Sequence, residues 1–522
     1  MFVSLIAQSS RLQRRAFSST SCSSKAQSKI DNRQTRSAHV AQLNSEKELI
    51  LRVLETIPSK REAKSYTDRF KVKGASPIKN CKSRYPIALV SLTAPLFRSE
   101  LEQVSRTIAC IKRMGVAPIL LLENLSWGKN LKNSECLSTE NFREMRQYMI
   151  QDGLALCEMI ERENVKTRLV PSGVFKCKSP NSPTEVDLDP VISSLRTDCI
   201  PVLLPISCTS KSAQFASNSL ATVSALSKSF SRYNPNPSLI DGKAGDVMKV
   251  VVINSRGGIP DENNETINFV NLQDDLEGLV KQAGSWKSET SPDWKRDLDL
   301  AYSSLAFLPA TTSAVVLSAS TIGAVINNLI TDKPTVSPSL PQNRDVAHDV
   351  TILRYGLKVT NHSSLSSVDM EKLWKLLETS FGKQVDKPRY LSRLDTSLSH
   401  LIVAGDYQGL AIVTNEAGGV CYLDKFAVDP QSQGIGVADV LWQQLRQQCP
   451  NLMWRSRPDN GVNKWYFERS DGNIALASAP WRMFWYGSAG LARIKGYSRV
   501  AGGIPATFLP GGPCHSSQLP PK

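Results

Sequence analysis

Between Tyr422 and Leu441 the chain reads YLDKFAVDPQSQGIGVADVL, a strand pattern followed by a glycine-rich corner and a helix pattern. Glycines let a ligand approach the backbone closely, and the first amides of a helix have no partners within the helix. These amides and the helix dipole attract negative charge. The sequence therefore predicts an anion-binding corner, which consists of Gln431, Gln433, Gly434, Ile435 and Gly436.

Other ligand motifs are missing from the chain. The spacing Q-x-x-G-x-G differs from the G-x-G-x-x-G of a dinucleotide fold, and no Gly-Lys-Ser/Thr follows as in a P-loop. The 11 cysteines and 5 histidines form neither a CxxC pair nor a short ligand cluster. We therefore predict no metal site, and we interpret the cysteines as reduced, mostly buried thiols.

The net charge of +15 is concentrated at the N-terminus. Residues 1–36 contain seven Lys or Arg against one acid, and residues 37–84 contain eleven against five. The first segment is also rich in serine, and its RAFSS sequence at Arg15–Ser19 resembles matrix-protease sites. Such a composition is typical of a mitochondrial transit peptide. We predict targeting to the mitochondrial matrix by residues 1–36 and no nucleic-acid partner.

Two α/β patterns follow one another along the chain. YPIALVSLTAP, ELEQVSRTIACIKRMG and VAPILLLEN predict a strand, an amphipathic helix and a second strand, an order that indicates a parallel sheet. After the Pro- and Ser-rich segment Thr331–Asp345, HLIVAGDYQGLAIVTNEAGGVCYLDKFAV predicts three strands joined by tight turns. Ser366 and Asp369 have capping-box spacing before a helix.

No stretch offers the roughly 18 consecutive apolar residues of a membrane span, so we predict no membrane insertion. The nearest stretch, Leu305–Ile330, is interrupted by Pro309 and by many hydroxyl side chains. We interpret it as a buried helix with its lead-in. Past Gly487 the chain is rich in Gly and Pro and is predicted to be poorly ordered.

The Q-x-x-G-x-G corner after a hairpin sheet resembles the coenzyme A loop of GCN5-related acetyltransferases. YLDKFAV, LMWRSRPDN and NKWYFERSDG resemble the acetyltransferase domain of N-acetylglutamate synthases, in the branch that includes fungal mitochondrial enzymes. Tyr85–Asp332 resembles, more loosely, the amino-acid-kinase domain that precedes it in that family. The resemblance implies an α/β fold class with an amino-acid-kinase-like parallel-sheet domain at 37–340, an N-acetyltransferase domain at 341–490 and a tail at 491–522.

This resemblance implies that acetyl-CoA donates an acetyl group to the α-amine of L-glutamate, giving N-acetyl-L-glutamate and CoA in the first step of arginine biosynthesis. It also implies inhibition by arginine through the first domain and a homo-oligomer, and it leaves a complex with acetylglutamate kinase open. The first strand, IALVSLTAP, lacks the Lys and paired glycines with which active amino-acid kinases hold ATP. The first domain is therefore predicted to be regulatory and inactive as a kinase.

The resemblance also implies individual roles. Lys383, Lys425 and Arg455 would bind the substrate carboxylates, because Arg offers a planar fork and Lys a compact charge. Tyr466 would be the general acid for the leaving thiolate, although by pattern alone it would be a core aromatic. The remaining substrate-site residues are Ser456, Arg457 and Asn460. Phe426 and Val428 would join the corner residues in binding the coenzyme, with strand amides that polarise the thioester carbonyl.

Three alternatives to this interpretation predict different sequence features. An acetylglutamate kinase would need the Lys and paired glycines on the first strand. A non-enzymatic regulatory subunit of the arginine pathway would not need the intact Lys425, Arg455 and Tyr466. An enzyme that acetylates protein lysines would need an acidic groove in place of three substrate cations.

Overall fold

The computed structural model describes residues 86–127, 139–178, 184–209, 212–233, 246–261, 263, 265–283, 291–321, 350–433, 436–476 and 479–509. The predicted transit peptide and the Thr331–Asp345 segment lie outside these ranges. So do Gly434, Ile435 and the last 13 residues of the predicted tail, 510–522.

The first part of the described chain, up to Arg354, is built on an eight-stranded sheet. Its order is β10-β12-β11-β9-β1-β2-β6-β3, and only the β11–β12 pair is antiparallel. The short strands β5, β4, β7 and β8 form a separate small sheet in that order. The elements are β1 (Ile87–Ala94), α1 (Arg98–Arg113), β2 (Ala117–Asn124), α2 (Thr139–Glu161), β3 (Thr167–Val170), β4 (Phe175–Lys176), β5 (Glu185–Val186), α3 (Asp189–Arg196), β6 (Ile200–Leu203), β7 (Ile206–Cys208), β8 (Gln214–Ala216), α4 (Ser219–Arg232), β9 (Val247–Asn254), β10 (Phe269–Asn271), α5 (Leu276–Ala283), α6 (Ser291–Leu305), β11 (Ser313–Ser318) and β12 (Val350–Arg354).

The central strands of this sheet are buried on both faces. Seven of the eight residues of β1 are buried, as are the first six of β2. Continuous apolar strands are typical of a parallel sheet that helices cover on both sides. The predicted strand–helix–strand unit at the start of the first domain is therefore confirmed, with α1 ending before Gly115, whose φ is +85°.

Two observations differ from the sequence interpretation. β11 lies inside the stretch interpreted as a buried helix with its lead-in, and residues 322–330 of that stretch lie outside the described ranges. β12 lies beyond the predicted domain boundary at 340 but pairs with β10 and β11 in the first sheet. Short apolar runs do not reveal their pairing partners, because partner choice depends on residues distant in sequence.

The second part contains a seven-stranded sheet of order β13-β14-β15-β16-β17-β19-β18, in which only the β16–β17 pair is parallel. The predicted hairpin strands are confirmed as β14, β15 and β16. The elements are β13 (Val359–His362), α7 (Met370–Phe381), α8 (Lys387–Ser397), β14 (Leu398–Ala404), β15 (Gly409–Glu416), β16 (Val420–Val428), α9 (Val437–Gln448), β17 (Leu452–Ser456), α10 (Asn463–Arg469), β18 (Gly472–Ala475), β19 (Arg482–Tyr486) and α11 (Ile494–Gly503).

The cap of α7 is Asp369, not Ser366. The Asp369 carboxylate accepts hydrogen bonds from the amides of Glu371 and Lys372, both at 3.1 Å. Ser366 belongs to a preceding 3-10 turn, and its hydroxyl pairs with that of Ser364. The capping-box interpretation was wrong because the helix begins three residues later than that pattern requires.

The chain after Gly487 is ordered further than predicted. α11 buries Tyr497 and Ala501, and Ile504 is buried just after the helix. These positions follow the i, i+4, i+7 spacing of one helix face, which the glycines of the segment obscure. The prediction of a poorly ordered tail is therefore wrong for residues 491–509.

The two sheets share apolar packing. One cluster of buried residues includes Phe269 and Ile352 from the first sheet together with Ala411, Val437 and Leu441 from the second part. Asn271 donates a side-chain hydrogen bond to the carbonyl of Leu357 at 2.8 Å, and the Val359 amide donates to Asp274 at 3.2 Å. The junction between the two parts is thus packed and hydrogen-bonded.

Candidate active site

The candidate site lies where β16 and β17 separate. Their ladder contains one pair in the described chain, Tyr422 with Met453. β16 continues to pair with β15 as far as Val428, and β17 continues to pair with β19 as far as Ser456. Because each strand follows its other neighbour, the two diverge after that pair. The opening exposes the ends of two parallel strands, a common place for ligands in α/β sheets.

The glycine corner connects β16 to α9, as predicted. The Asp429 carboxylate accepts from the Gln431 amide at 3.2 Å and starts a 3-10 turn over Pro430–Ser432. Gly436 then precedes α9 with φ +85°. A Cβ at Gly436 would lie 3.4 Å from Nε of Arg354, a buried side chain of β12. Glycine is favoured here by the left-handed backbone, whereas a Cβ at that distance would make an ordinary van der Waals contact.

The predicted coenzyme residues are distributed around this corner. The rings of Phe426 and Trp442 meet edge to face, with centroids 6.0 Å apart. Gln431 is exposed, Gln433 is half-buried, and Val428 ends β16. Gly434 and Ile435 lie outside the described residues. The apolar face predicted for the following helix is confirmed, since Val437, Val440, Leu441 and Leu445 are all buried in α9.

Lys425 is almost completely buried, with 8% of its surface exposed. Its ammonium group contacts the Asp424 carboxylate at 2.9 Å and lies 5.0 Å from the centre of the Tyr390 ring. Burial lowers the pKa of Lys425, and the Asp424 charge opposes that shift. The cation predicted for substrate binding is therefore held by fixed neighbours rather than being a solvated surface charge.

Asp424 is the centre of a buried polar network that the sequence interpretation missed. Its side chain has no exposed surface, lies 3.0 Å from Nη1 of Arg393, and accepts a hydrogen bond from the Tyr390 hydroxyl. Arg393 also pairs with Glu416. Burial alone would raise the pKa of Asp424, but Lys425 and Arg393 hold it below its usual value. An Asp-Lys pair in the middle of an apolar strand was the available signal for this network.

Arg455 is half-buried on β17 and binds α11. Its guanidinium donates to the carbonyl of Ala501 and, at 2.8 Å, to that of Ile504. It also stacks over the Trp481 ring with Cζ 4.4 Å from the centroid. Arg455 on β17 and Lys425 on β16 thus lie on the two strands that border the opening.

The other predicted substrate residues lie near the end of β17 or at the end of α7. Ser456 is buried and accepts from the Asn460 side chain at 2.9 Å. Arg457 is exposed, with Cζ 5.6 Å from the centre of the Trp481 ring. Lys383 is exposed in the turn that follows α7. Ser456 and Asn460 are thus joined by a hydrogen bond, whereas Lys383 lies in a different turn of the chain.

Tyr466 lies on α10 within an aromatic cluster and is 8% exposed. Its ring lies 5.5 Å from that of Trp454 and 5.7 Å from that of Phe484. Burial raises the pKa of Tyr466, so the phenol keeps its proton throughout the neutral range. The environment is compatible both with the core aromatic that the pattern favours and with the proton donor that the resemblance implies.

Within the described residues, no group of three or more His, Cys, Asp or Glu is placed to hold a metal ion. None of the described helices combines the length and apolarity needed to cross a bilayer. Of the seven cysteines in the described ranges, four are buried.

Comparison with known proteins places this geometry in context. Residues 360–501 match the family model of the N-acetyltransferase domain of N-acetylglutamate synthase. The chain is 30% identical over 476 residues to the mitochondrial amino-acid acetyltransferase of Coprinopsis cinerea, covering 80% of this chain and 75% of that protein. It is 30% identical over 494 residues to that of Laccaria bicolor, covering 81% and 85% respectively.

A relative from Schizosaccharomyces pombe with the same name is 28% identical and is covered over 97% of its length. Among solved structures, N-acetylglutamate synthase from Neisseria gonorrhoeae, complexed with coenzyme A and N-acetyl-glutamate, superposes with a TM-score of 0.51 at 13% identity. That superposition covers 81% of this chain and 97% of the bacterial chain, and at this identity it shows a shared fold. The predicted two-part α/β fold class is confirmed.

Proposed function

Because the chain belongs to the family of mitochondrial amino-acid acetyltransferases, we propose that it transfers an acetyl group from acetyl-CoA to the α-amine of L-glutamate in the mitochondrial matrix. One observation supports this most directly. Lys425 and Arg455 lie on the two strands that diverge, on either side of the opening between β16 and β17. Two cations at one opening suit a substrate with two carboxylates.

The reaction can be followed atom by atom. The neutral α-amine attacks the thioester carbonyl carbon, and the carbonyl oxygen gains the negative charge. Those backbone amides within Phe426 to Val428 that point away from β15, towards the opening, would stabilise that oxygen. The C–S bond then breaks, the amide forms as one amine proton passes to water, and the thiolate takes up a proton that water afterwards returns to the donor. Tyr466, which keeps its proton at neutral pH because burial raises its pKa, would donate the proton to sulfur.

The coenzyme would bind at the glycine corner. α9 begins at Val437, directly after Gly436, and is 12 residues long, so its dipole and first amides favour the pyrophosphate of acetyl-CoA. Phe426 is half-buried beside this corner and would offer apolar surface, with the fully buried Trp442 ring packed edge to face against it. The chain's own residues thus provide both the anion-binding and the apolar surface that the coenzyme requires.

The first domain is proposed to be a regulatory domain without kinase activity, through which arginine inhibits the enzyme. Ligands of parallel sheets bind beyond the carboxyl ends of the strands. In this protein Arg296 lies there, paired with Glu123 at the end of β2, and its Nη2 is 3.3 Å from the Thr93 hydroxyl of β1. The absence of the Lys and paired glycines from the first strand, IALVSLTAP, supports loss of phosphoryl transfer. A homo-oligomer and a complex with acetylglutamate kinase belong to the same proposal.

An assay of thiol release tests the proposal. Protein lacking residues 1–36 is mixed with acetyl-CoA and L-glutamate, and free CoA is measured against the other amino acids. We expect glutamate to be used far better than aspartate or glutamine, since each of these lacks either the chain length or the second carboxylate. Equal rates with and without glutamate would contradict the proposal. Phosphoryl transfer from ATP to N-acetyl-glutamate would instead favour the kinase alternative.

A further inference from the structure

Residues Ala501–Leu509, here the 501–509 segment, extend from the last turns of α11 to the end of the described chain. All but the first of them lie beyond the part that matches the acetyltransferase family model, which ends at residue 501. The segment nevertheless contacts each of the three cations proposed to bind substrate, or the residues next to them.

The first contact is with Arg455. The carbonyls of Ala501 and Ile504 both accept from its guanidinium, the latter at 2.8 Å. A planar guanidinium held by two backbone acceptors has little rotational freedom. The 501–509 segment therefore sets the direction in which the remaining donors of Arg455 point.

The second contact is with the turn that contains Lys383. Phe508 and Val385 form an antiparallel bridge. The Leu509 amide donates to the carbonyl of Gln384, and the Asp386 amide donates to that of Thr507, both at 3.0 Å. This short ladder begins at the residue after Lys383 and fixes the backbone of that turn.

The third contact is with Lys425. Its ammonium nitrogen lies 5.8 Å from the centre of the Phe508 ring and 5.0 Å from that of Tyr390. The Phe508 ring itself packs on Phe381, with centroids 5.1 Å apart. A cation within about 6 Å of an aromatic face is attracted by the ring quadrupole. Two rings and the Asp424 carboxylate thus fix the position of the ammonium group.

We propose that the 501–509 segment completes the substrate site and that Phe508 is a positioning residue for Lys425. The segment contacts β16, β17 and the turn after α7, and these three parts of the chain contain the substrate cations. The inference rests on the proposed function, because it concerns the same glutamate site. It predicts that loss of the Phe508 ring weakens glutamate binding through Lys425 while the coenzyme site is unaffected.

The test compares Phe508→Ala with Phe508→Leu, Phe508→Trp and the control Leu491→Ala. Leu491 is 79% exposed and lies outside the 501–509 segment. For Phe508→Ala and Phe508→Leu we expect the KM for glutamate to rise roughly three- to thirtyfold, the range of a partly desolvated cation–π contact. The kcat and the KM for acetyl-CoA should stay within about twofold. Phe508→Trp should restore the parent KM because indole gives the strongest cation–π contact.

The outcomes separate the inference from the proposed function. If the parent shows glutamate-dependent activity but Phe508→Leu has the same KM for glutamate as Leu491→Ala, the inference is overturned and the proposed function stands. A lower melting temperature for Phe508→Leu at an unchanged KM for glutamate also overturns the inference, because it shows that Phe508 contributes only to packing. If the parent releases no thiol in response to glutamate, the proposed function fails and the inference fails with it. Should Phe508→Ala not fold, Phe508→Leu still decides, since it keeps the apolar volume and removes the ring.

Discussion

At the scale of single residues, the tyrosine of α10 has two possible roles that its surroundings permit equally. Tyr466 packs against Trp454 and Phe484, as a core aromatic does. Burial also raises the pKa of Tyr466, so its hydroxyl stays protonated and can donate a proton to a departing thiolate. Kinetics separate the roles, because a proton donor acts only in the transition state and a packing residue affects folding.

We therefore expect Tyr466→Phe to lower kcat by roughly 100-fold, the lower end for a general acid, with both KM values near those of the parent. The pH profile supplies a second measurement. Since burial raises the Tyr466 pKa, parent kcat should show no loss from tyrosine ionisation up to about pH 10, where an ordinary tyrosine ionises. Parent-like turnover in Tyr466→Phe would mean that water protonates the thiolate.

At the scale of secondary-structure elements, the corner between β16 and α9 combines backbone strain with close packing. Gly436 has φ +85°, and an added Cβ would lie 3.4 Å from Arg354. Gly418, in the turn between β15 and β16, has a similar φ of +79° but no atom within 4 Å of the added Cβ. The two glycines therefore differ in surroundings while sharing the same backbone requirement.

Gly436→Ala should raise the KM for acetyl-CoA and leave the KM for glutamate nearly unchanged, because the corner is the proposed pyrophosphate site. Gly418→Ala is the matched control. It should lose a similar 1–2 kcal/mol of stability from the left-handed backbone, approximately the cost for an L-residue, with no change in either KM. Steady-state kinetics and thermal melting of both variants measure this. Equal increases in both KM values for Gly436→Ala would make the corner a structural turn.

A second pair of elements, α8 and β16, is joined by the Asp424 network. Asp424→Asn should destabilise the protein at pH 7 by roughly 3–5 kcal/mol, because Arg393 and Lys425 would lose their buried counter-charge. The folded-state pKa of Asp424 is lowered, so its contribution is present above the unfolded pKa near 3.9 and is lost as pH falls through the folded value.

Denaturant unfolding of parent and variant should accordingly converge as the pH is lowered. Asp406→Asn is the control, since Asp406 forms an exposed pair with Lys372 and should leave the unfolding midpoint almost unchanged. A constant difference between parent and Asp424→Asn at every pH would contradict an electrostatic origin.

At the scale of the whole molecule, the two sheets share one apolar cluster that includes Phe269 and Ile352 on one side and Val437 and Leu441 on the other. Residues that bury the same surface must lose it together. Calorimetry of the protein lacking residues 1–36 should therefore show a single main transition. Phe269→Ala should lower the free energy of unfolding by about 3–5 kcal/mol, the cost of truncating a buried aromatic. The midpoint of the transition should fall, and the transition should not split into two. Two separate transitions in the parent would show that the sheets unfold independently.

Local patterns determined a large part of this protein. The alternation and tight turns of residues 398–428 predicted three hairpin strands, and the glycines after Asp429 predicted a corner before an amphipathic helix. Such features depend on neighbours within about ten residues, through the strand period of two, the helix period of 3.6 and glycine at positive φ. The sequence motifs LDKF, WRSR and KWYF also predicted which residues belong to the candidate site.

The tertiary structure decided what depends on distant segments. β12 joins the first sheet because its partners β10 and β11 are there, and no property of residues 350–354 identifies them. The sequence predicts that Arg455 binds substrate, but it does not reveal the two carbonyl partners of Arg455, which are 46 and 49 residues away in the chain. Glycine-rich composition predicted disorder after Gly487, whereas burial of Tyr497 and Ala501 orders that segment. Hydrogen-bond and packing partners are chosen in space, where burial makes an unpaired polar group costly, so the sequence alone cannot specify them.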